Sequence, residues 1–219
     1  MQHLLDRLKA HANPANVAGM ARYGINPNGT LGVPIPVLRA MAKECGRDHD
    51  LAQRLWNTGI HEARILATLV DDPARVTRRQ MNRWARDLDS WDVCDHACHN
   101  LFRYTPFAFQ QATKWAGARP EFVRRAGFSL MAGLAVKAKD ATDRQFEAFF
   151  PLILQAAADD RNMVKKAVNW ALRQIGKRNG RLRLKAVALA ERIRRLDSLA
   201  ARWIASDALR ELKRASHKG

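Results

Sequence analysis

The chain has 219 residues and carries 38 lysines and arginines against 21 aspartates and glutamates, a formal net charge of +17 at pH 7. Hydrophobic residues make up 47% of the chain, which excludes wholesale disorder. No apolar run approaches the roughly 20 residues of a membrane-spanning helix, so we expect a globular protein with a sizeable core, an anionic partner and no membrane contact.

Almost every segment of the chain has the composition and periodicity of a helix. Leu, Ala, Arg, Gln and Met dominate, and the alternating β-branched runs of strands are absent. Breaks that contain proline or glycine, such as Asn13-Pro14 and Asn179-Gly180, separate the segments. In chain order, the predicted helices cover residues 2–12, 14–22, 36–46, 49–57, 60–71, 75–87, 90–102, 106–116, 119–135, 142–158, 161–176, 180–196 and 199–215.

A weak internal repeat lies in the second half of the chain. Val123-Arg124-Arg125-Ala126 recurs 41 residues later as Val164-Lys165-Lys166-Ala167, and each copy opens an amphipathic helix. A period near 40 residues built from helix pairs is typical of HEAT and armadillo repeats. We therefore predict an all-α, HEAT-like or armadillo-like helical-repeat solenoid, whose second helices line a basic concave face suited to a duplex.

The positive charge concentrates toward the C-terminus. Residues 161–219 hold 17 basic and 4 acidic residues, a net of +13, whereas residues 1–160 have a net of only +4. Such a one-sided field attracts phosphate backbones through counterion release, so the predicted partner is nucleic acid. The alternative interpretations are an anionic membrane and a merely solvated basic surface, and nucleic acid is favoured over both because the chain has no isolated Lys/Arg-rich tail and no lipidation signal. Because no long linker interrupts the helices, we expect a single domain over residues 1–219, with 177–219 as basic C-terminal helices.

The N-terminal residues and the cysteines indicate the compartment. The segment from Met1 to Arg7 contains an acidic residue and lacks the pattern of a signal peptide. Three cysteines, an odd number, do not suggest a disulfide framework. A reducing cytoplasm is therefore expected.

The densest set of reactive side chains lies in residues 90–100, with the sequence SWDVCDHACHN. On a helix Trp91 and Asp95 lie one turn apart, so an indole stands beside a carboxylate. In a strongly basic chain this pair indicates chemistry on nucleic acid. Ser90 is the predicted N-cap, and interaction with the helix dipole is the favoured role of Asp92, with a secondary role in the site left open.

The same segment contains residue types that bind metals. Three pairs have the i, i+4 spacing of helical zinc ligands, namely Asp92 with His96, Asp95 with His99, and Cys94 with Cys98. We predict that the three pairs point to different helix faces, and no second ligand cluster stands out elsewhere. Buried thiols and hydrogen-bonded histidines are therefore expected, with no metal and no other cofactor.

Five ordered motifs resemble those of the AlkD-type DNA alkylation repair glycosylases. They are Met20-Ala21-Arg22-Tyr23, Gly32-Val33-Pro34, Ser90-Trp91-Asp92-x-x-Asp95, Arg124-Arg125-Ala126 and Lys166-Ala167-x-x-Trp170-x-Leu172-Arg173. That family is built of HEAT-like repeats and excises cationic alkylpurines such as N3-methyladenine and N7-methylguanine. The resemblance further implies that the lesion need not be swung into a pocket, because the concave surface instead grips the backbone of the damaged nucleotide.

The resemblance also implies roles for the matched residues. Asp95 matches the catalytic carboxylate, and Trp91 and Trp170 match two aromatic wall residues. Arg125 matches a phosphate-contacting arginine, and Tyr23 an aromatic near the same cleft. The remaining candidates for DNA contact are Arg124, Lys166 and Arg173. Arg124 replaces Arg125 if the helix phase shifts by one residue, and Lys166 and Arg173 belong to the last motif.

The chemistry of these residue types fits the implied reaction. A cationic alkylpurine is already a good leaving group, so its loss needs no general acid and leaves positive charge at C1′. A carboxylate near the sugar stabilises that charge and orients or deprotonates the attacking water. Indole faces favour a developing cation, and an arginine holds a phosphate without reading sequence.

We therefore predict a monofunctional DNA glycosylase of base excision repair that acts as a monomer on duplex DNA containing alkylated bases. Two alternatives stay open: a non-enzymatic HEAT-like nucleic-acid-binding protein, and a helical-repeat adaptor for an acidic protein partner. The four other tryptophans are expected in the core or on partly buried surface, namely Trp56, Trp84, Trp115 and Trp203.

Overall fold

The structure, a computed structural model, describes residues 1–214, and within this range the chain is helical without any strand. The helices are α1 (Gln2–Ala10), α2 (Pro14–Arg22), α3 (Ile35–Cys45), α4 (His49–Asn57), α5 (His61–Val70), α6 (Arg78–Arg86), α7 (Trp91–His96), α8 (Ala108–Ala116), α9 (Glu121–Lys137), α10 (Asp143–Glu147), α11 (Phe150–Ala156), α12 (Asn162–Gly176), α13 (Gly180–Arg194) and α14 (Leu199–Arg214). A π-helical turn (Ala97–Leu101) and a 3₁₀ turn (Phe102–Tyr104) follow α7. The all-α prediction is confirmed. The predictions for residues 215–219, the end of the last helix and of the basic extension, lie outside the described residues.

The predicted helix over residues 142–158 is wrong as one element, because the chain forms α10 and α11 instead. Pro151 lies in the first turn of α11. Proline has no backbone N–H, and in a continuous helix its ring collides with the carbonyl four residues earlier. The chain therefore ends α10 at Glu147 and begins a new helix, in whose first turn proline is tolerated.

The chain divides into two compact units, and the first is Met1–Thr105. In this unit α4 pairs with α5, and α3 and α7 also pack on α5. Trp56 and Trp84 are fully buried and stack with their ring centroids 4.0 Å apart. The indole N–H of Trp56 donates to Asp87 at 2.9 Å. Both tryptophans are core residues, as expected.

The second unit begins at Pro106 and is built of helix pairs. Helices α8 and α9 form one pair, α13 and α14 another, and α12 packs on both α9 and α14. The two copies of the repeated motif lie on α9 and α12, which pack against each other. Trp115 is buried in this unit, whereas Trp203 is 41% exposed with the Lys165 ammonium 5.2 Å from its ring centre.

Among the helices of the described residues, none combines the length and the apolar character needed to cross a bilayer.

Candidate functional site

Helix α7 begins after Ser90, whose extended backbone makes it the N-cap residue, as predicted. Its side chain does not cap the helix, however. The Ser90 hydroxyl oxygen accepts a hydrogen bond from the backbone N–H of Asn26 at 2.9 Å. The Ser90 side chain instead joins the loop after α2 to the start of α7.

The residues of α7 and the π-helical turn alternate between two faces with a period of four. The core face carries Val93, Cys94, Ala97, Cys98 and Leu101, and the opposite face, which lines a cavity, carries Trp91, Asp92, Asp95, His96, His99 and Asn100. A straight α-helix has 3.6 residues per turn and drifts away from such a period, whereas the wider π-helical turn follows it. The predicted continuous α-helix over residues 90–102 is therefore wrong at its C-terminal end.

The prediction that the three metal-like pairs point to different faces is also wrong for two of them. Asp92 with His96 and Asp95 with His99 all line the cavity, because adjacent residues share a wide helix face. The third pair, Cys94 and Cys98, lies in the core with no exposed surface, as expected for small apolar side chains. In residues 1–214, no group of three or more His, Cys, Asp and Glu side chains is placed to hold a metal ion.

The cavity has a volume of about 850 Å³ and is lined only by residues of the first unit. Most of its wall is apolar and comes from α2, α3, α5 and the loop that precedes α3. The apolar lining includes Met20, Ile25, Val33, Pro34, Ile35 and Ile65. The charged and imidazole side chains in its wall are Arg39, His61, Glu62, Asp92, Asp95, His96 and His99.

Trp91 and Tyr23 meet at the edge of this cavity. The Trp91 indole N–H donates to the backbone carbonyl of Tyr23 at 3.0 Å, which joins the start of α7 to the C-terminus of α2. Tyr23 is 77% exposed and lines the cavity together with Trp91 and Asp95. The structure thus brings these three predicted residues to one cavity, with the half-buried Asp95 one turn beyond Trp91.

Sequence reasoning missed Glu62, which organises the loop beside the cavity. Its carboxylate is 1% exposed and accepts hydrogen bonds from the backbone N–H groups of Leu31, Gly32 and Val33 at 2.8, 2.6 and 3.2 Å. Gly32 has φ +79°, and a Cβ there would lie 2.3 Å from the backbone oxygen of Asn13. An acidic residue in the first turn of a helix has the local signal of a dipole partner, so no pattern marked Glu62 as a loop anchor.

Sequence reasoning also missed His61, which lies under α7 and donates from Nε2 to Asp92 Oδ2 at 2.8 Å. Burial opposes protonation of this ring, but the hydrogen bond and the charge of Asp92, helped by Glu62 and Asp89, outweigh it and raise the pKa of His61. Asp92 therefore has a specific ionic partner in addition to its place in the first turn of α7.

His96 behaves in the opposite way to His61. Burial lowers the pKa of His96, although Asp92 and Asp95 act against that shift. Its Nδ1 accepts a hydrogen bond from the Asn100 side-chain amide at 3.0 Å, which suits a neutral ring. One protonatable and one neutral histidine therefore flank Asp92.

The two predicted arginines of α9 lie in the second unit. Arg125 is 5% exposed, and its guanidinium donates to the backbone carbonyl of Met163 at 2.8 Å. Arg124 is half-buried and forms an ion pair with Asp159 at 3.1 Å. Each guanidinium thus has a protein contact within its own unit.

The three predicted residues of the last motif lie on α12, also in the second unit. Lys166 is exposed and Trp170 is half-buried. The guanidinium of Arg173 forms ion pairs with Asp207, at 3.3 Å, and Glu211 on α14. The guanidinium of Arg173 is therefore engaged within the unit, by carboxylates that also pair with Lys177 and Arg210.

Comparisons with known proteins agree on the type of fold. A family model described as "DNA alkylation repair enzyme" matches residues 4–212. One similar solved structure is described as belonging to a new family of proteins related to the HEAT-like repeat DNA glycosylases with affinity for branched DNA structures. It has a TM-score of 0.81 and 19% identity, covering 98% of this chain and 94% of that one. The HEAT-like, armadillo-like fold prediction is confirmed.

A designed armadillo repeat protein is also similar, with a TM-score of 0.38 and 14% identity over 81% of this chain and 92% of its own. No curated protein matches the chain.

Proposed function

The chain belongs to the family of DNA alkylation repair enzymes, and on that premise we propose that it is a monofunctional DNA glycosylase. Its substrates are cationic alkylated purines in duplex DNA, N3-methyladenine and N7-methylguanine among them. The observation that carries this proposal is the placement of Trp91 and Asp95 on one helix face, at the wall of an open cavity. The family membership confirms the resemblance seen in the sequence motifs.

The proposed reaction is hydrolysis of the N-glycosidic bond. The bond between C1′ and the base nitrogen breaks, and its electron pair leaves with the base, which becomes neutral. The carboxylate of Asp95 stabilises the positive charge that develops at C1′, and it accepts a proton from the water that attacks there. The negative face of the Trp91 indole favours the same charge. No lysine Schiff base takes part, so the strand stays intact.

The second unit supplies the remaining proposed contacts with DNA. We assign Trp170 as the second aromatic wall and Arg125 as the phosphate contact, with Arg124 as its alternative. Among the basic residues of α12, the exposed ammonium of Lys166 suits a phosphate better than Arg173, whose guanidinium Asp207 and Glu211 already engage. We propose that the protein acts as a monomer in the cytoplasm and needs neither a metal nor another cofactor.

Base release from methylated duplex DNA tests the proposal, in buffer with a chelator and without added metal. Asp95→Asn removes the charge and keeps the shape, so we expect release to slow by about 100-fold or more while DNA binding persists. Asp50→Asn, on the exposed face of α4, is the matched control and should release bases at the wild-type rate. A folded Asp95→Asn protein that releases bases as fast as wild type would contradict the mechanism.

A second candidate function is binding of branched DNA without base release. The solved structure with a TM-score of 0.81 is described as having affinity for branched DNA structures. Preferential binding of a four-way junction over a linear duplex, unchanged by Asp95→Asn and without base release, would support this candidate.

A further inference from the structure

Helix α13 carries a one-sided basic surface in the second unit. Six exposed residues follow one another with helical spacing along one side of the helix and its C-cap, and the opposite side is buried. This exposed side is the α13 stripe, and its residues are Arg181, Leu184, Lys185, Ala188, Arg192 and Arg195. Four of the six are cations and none is acidic, so the charge on the stripe has a single sign.

One carboxylate lies against the first turns of the α13 stripe and serves two of its cations. Glu147 of α10 is 3.4 Å from the guanidinium of Arg181 and 2.6 Å from the ammonium of Lys185. A single negative charge cannot neutralise both, and ion pairs at an exposed surface are weak and exchange readily. This end of the stripe therefore stays positive.

The other end of the α13 stripe carries two arginines that are available to a partner. In residues 1–214, Arg192 and Arg195 form no ion pair, although Arg195 adds a longer-range attraction to Glu191, whose pKa is lowered mainly by its hydrogen bond with a lysine of α14. The carboxylates closest in sequence, Glu191 and Asp197, pair with cations outside the stripe, namely Arg194, Lys213 and Arg202.

The α13 stripe lies on one of the two helix layers of the second unit. Helices α8, α11 and α13 are neighbours in one layer, and α9, α12 and α14 are neighbours in the other. Helix α13 packs on α12 and α14 through its buried side, which includes Leu182, Ala186 and Ile193. The stripe therefore faces away from α12, the helix on which the proposed DNA contacts Lys166 and Trp170 lie.

We propose that the α13 stripe binds the phosphate backbone of a second duplex segment, while the contacts proposed on α12 hold the first. The inference goes beyond the glycosylase function, because it does not require base release from either segment. From Arg181 to Arg195 the stripe is about 21 Å long at 1.5 Å per residue. One strand of B-DNA presents about six phosphates over that length, so several cations of the stripe can contact phosphates together.

The composition of the α13 stripe favours nucleic acid over an acidic protein. Protein interfaces depend on a desolvated core with aromatic anchors, whereas interfaces with DNA are polar and strongly positive. The stripe contains no aromatic residue, and Leu184, which is 75% exposed, is its one large apolar side chain. A row of cations without an apolar core suits contact with a backbone, which carries no sequence information.

Two double variants with the same loss of charge test the inference. The first is Arg192→Gln with Arg195→Gln, which removes the two unpaired cations of the stripe and keeps a residue of good helix propensity. The matched control is Arg54→Gln with Arg86→Gln, which removes two exposed arginines of the first unit. Lys166→Ala is the converse variant, because it removes a cation from α12 and leaves the stripe intact.

The experiment counts the duplexes bound by one protein and measures the affinity of each binding step. The probe is an undamaged duplex of about 16 base pairs, longer than the stripe, in excess over the protein. Native mass spectrometry gives the stoichiometry, and calorimetric titration at several salt concentrations gives the two affinities. We expect wild type to form a complex of one protein with two duplexes.

The variants should act on different binding steps. In the stripe variant we expect the second affinity to fall by about 10-fold or more, and its salt slope by about two, with the first affinity unchanged. The control should match wild type in stoichiometry and in both affinities. Lys166→Ala should weaken the first step and leave the second as it is.

The outcomes separate this inference from the glycosylase function. A wild-type protein that binds one duplex at every ratio would overturn it, as would equal effects of the stripe variant and the control. Binding of polyglutamate by the stripe in place of a second duplex would assign the surface to an acidic protein and also overturn it. A second duplex held through the stripe by a protein that releases no base would support this inference and contradict the glycosylase.

Discussion

At the scale of single residues, the environment of Asp92 and Asp95 decides what each carboxylate can do. Asp92 accepts a hydrogen bond from the buried His61 at 2.8 Å, so its carboxylate already has a partner within the protein. Asp95 lies one turn beyond Trp91 on the cavity face of α7. We propose Asp95 for the stabilisation of positive charge at C1′, in line with the role that the sequence motif implies, and a structural role in the pair with His61 for Asp92.

The pair of His61 with Asp92 predicts a pH-dependent contribution to stability. Because the folded pKa of His61 is raised, this pair stabilises the protein fully below the unfolded pKa of histidine, about 6.5, and the effect is lost as pH rises through the folded pKa. We expect His61→Gln to lower the free energy of unfolding by about 1–3 kcal/mol at low pH and by less at high pH. Urea unfolding at about pH 5.5 and pH 9 measures the two values.

His96→Gln is the contrasting variant for that experiment. Burial lowers the pKa of His96, so its protonation opposes folding as pH falls. We therefore expect His96→Gln to raise the free energy of unfolding most at acid pH. This dependence on pH is opposite to the one expected for His61→Gln. A cost of His61→Gln that grows as pH rises would show that the ionic pair does not operate.

At the scale of elements, amphipathic periodicity and breaking residues predict most helix positions. Eleven of the helices in residues 1–214 lie within three residues of their predicted bounds, because apolar spacing and breaking residues are local signals. The split at Pro151 was also readable from the sequence, since proline interrupts a helix. The π-helical turn after α7 could not be read from the sequence. It forms because two adjacent residues out of every four are buried in the core there.

The close contact of α8 with α9 predicts a sensitive position at Gly127. A Cβ there would lie 2.4 Å from the backbone nitrogen of Ala116, so the two helices must separate to admit it. We expect Gly127→Ala to destabilise the protein by about 1–3 kcal/mol, although alanine is the better helix former. The denaturation midpoint in urea measures the effect.

Gly117 provides the control for Gly127→Ala in the same unit. The nearest atom to a Cβ at Gly117 is the backbone oxygen of Lys114 at 3.8 Å, an ordinary contact. Gly117→Ala should therefore change stability little. Equal midpoints for the two variants would mean that the helix pair adjusts without cost.

At the scale of the whole molecule, the charge distribution determines the expected binding behaviour. The net of +13 in residues 161–219 predicts DNA affinity that falls steeply with salt. The ion pairs of the second unit reduce the number of cations available to phosphates, as at Arg173 with Glu211 and Arg124 with Asp159. A single domain over residues 1–219 and its basic concave face stay proposals.

A comparison of two substitutions on α12 tests which cations contact phosphates. Lys166→Ala removes an exposed charge, so the slope of log affinity against log salt should fall by about one. Arg173→Ala should change that slope much less, because Asp207 and Glu211 already engage its guanidinium. Fluorescence anisotropy of labelled duplex at several salt concentrations measures both slopes, and a larger effect of Arg173→Ala would reverse the assignment.

The amino-acid sequence by itself determined the helical class, the repeat and the one-turn spacing of Trp91 and Asp95. These features depend on local propensity and periodicity, which neighbouring residues specify. Tertiary structure alone decided the cavity, the anchor at Glu62 and the pairing of His61 with Asp92. Each of these joins residues some thirty or more positions apart in the chain or depends on a space between helices. Such contacts follow from how helix faces pack together, and no short stretch of sequence records them.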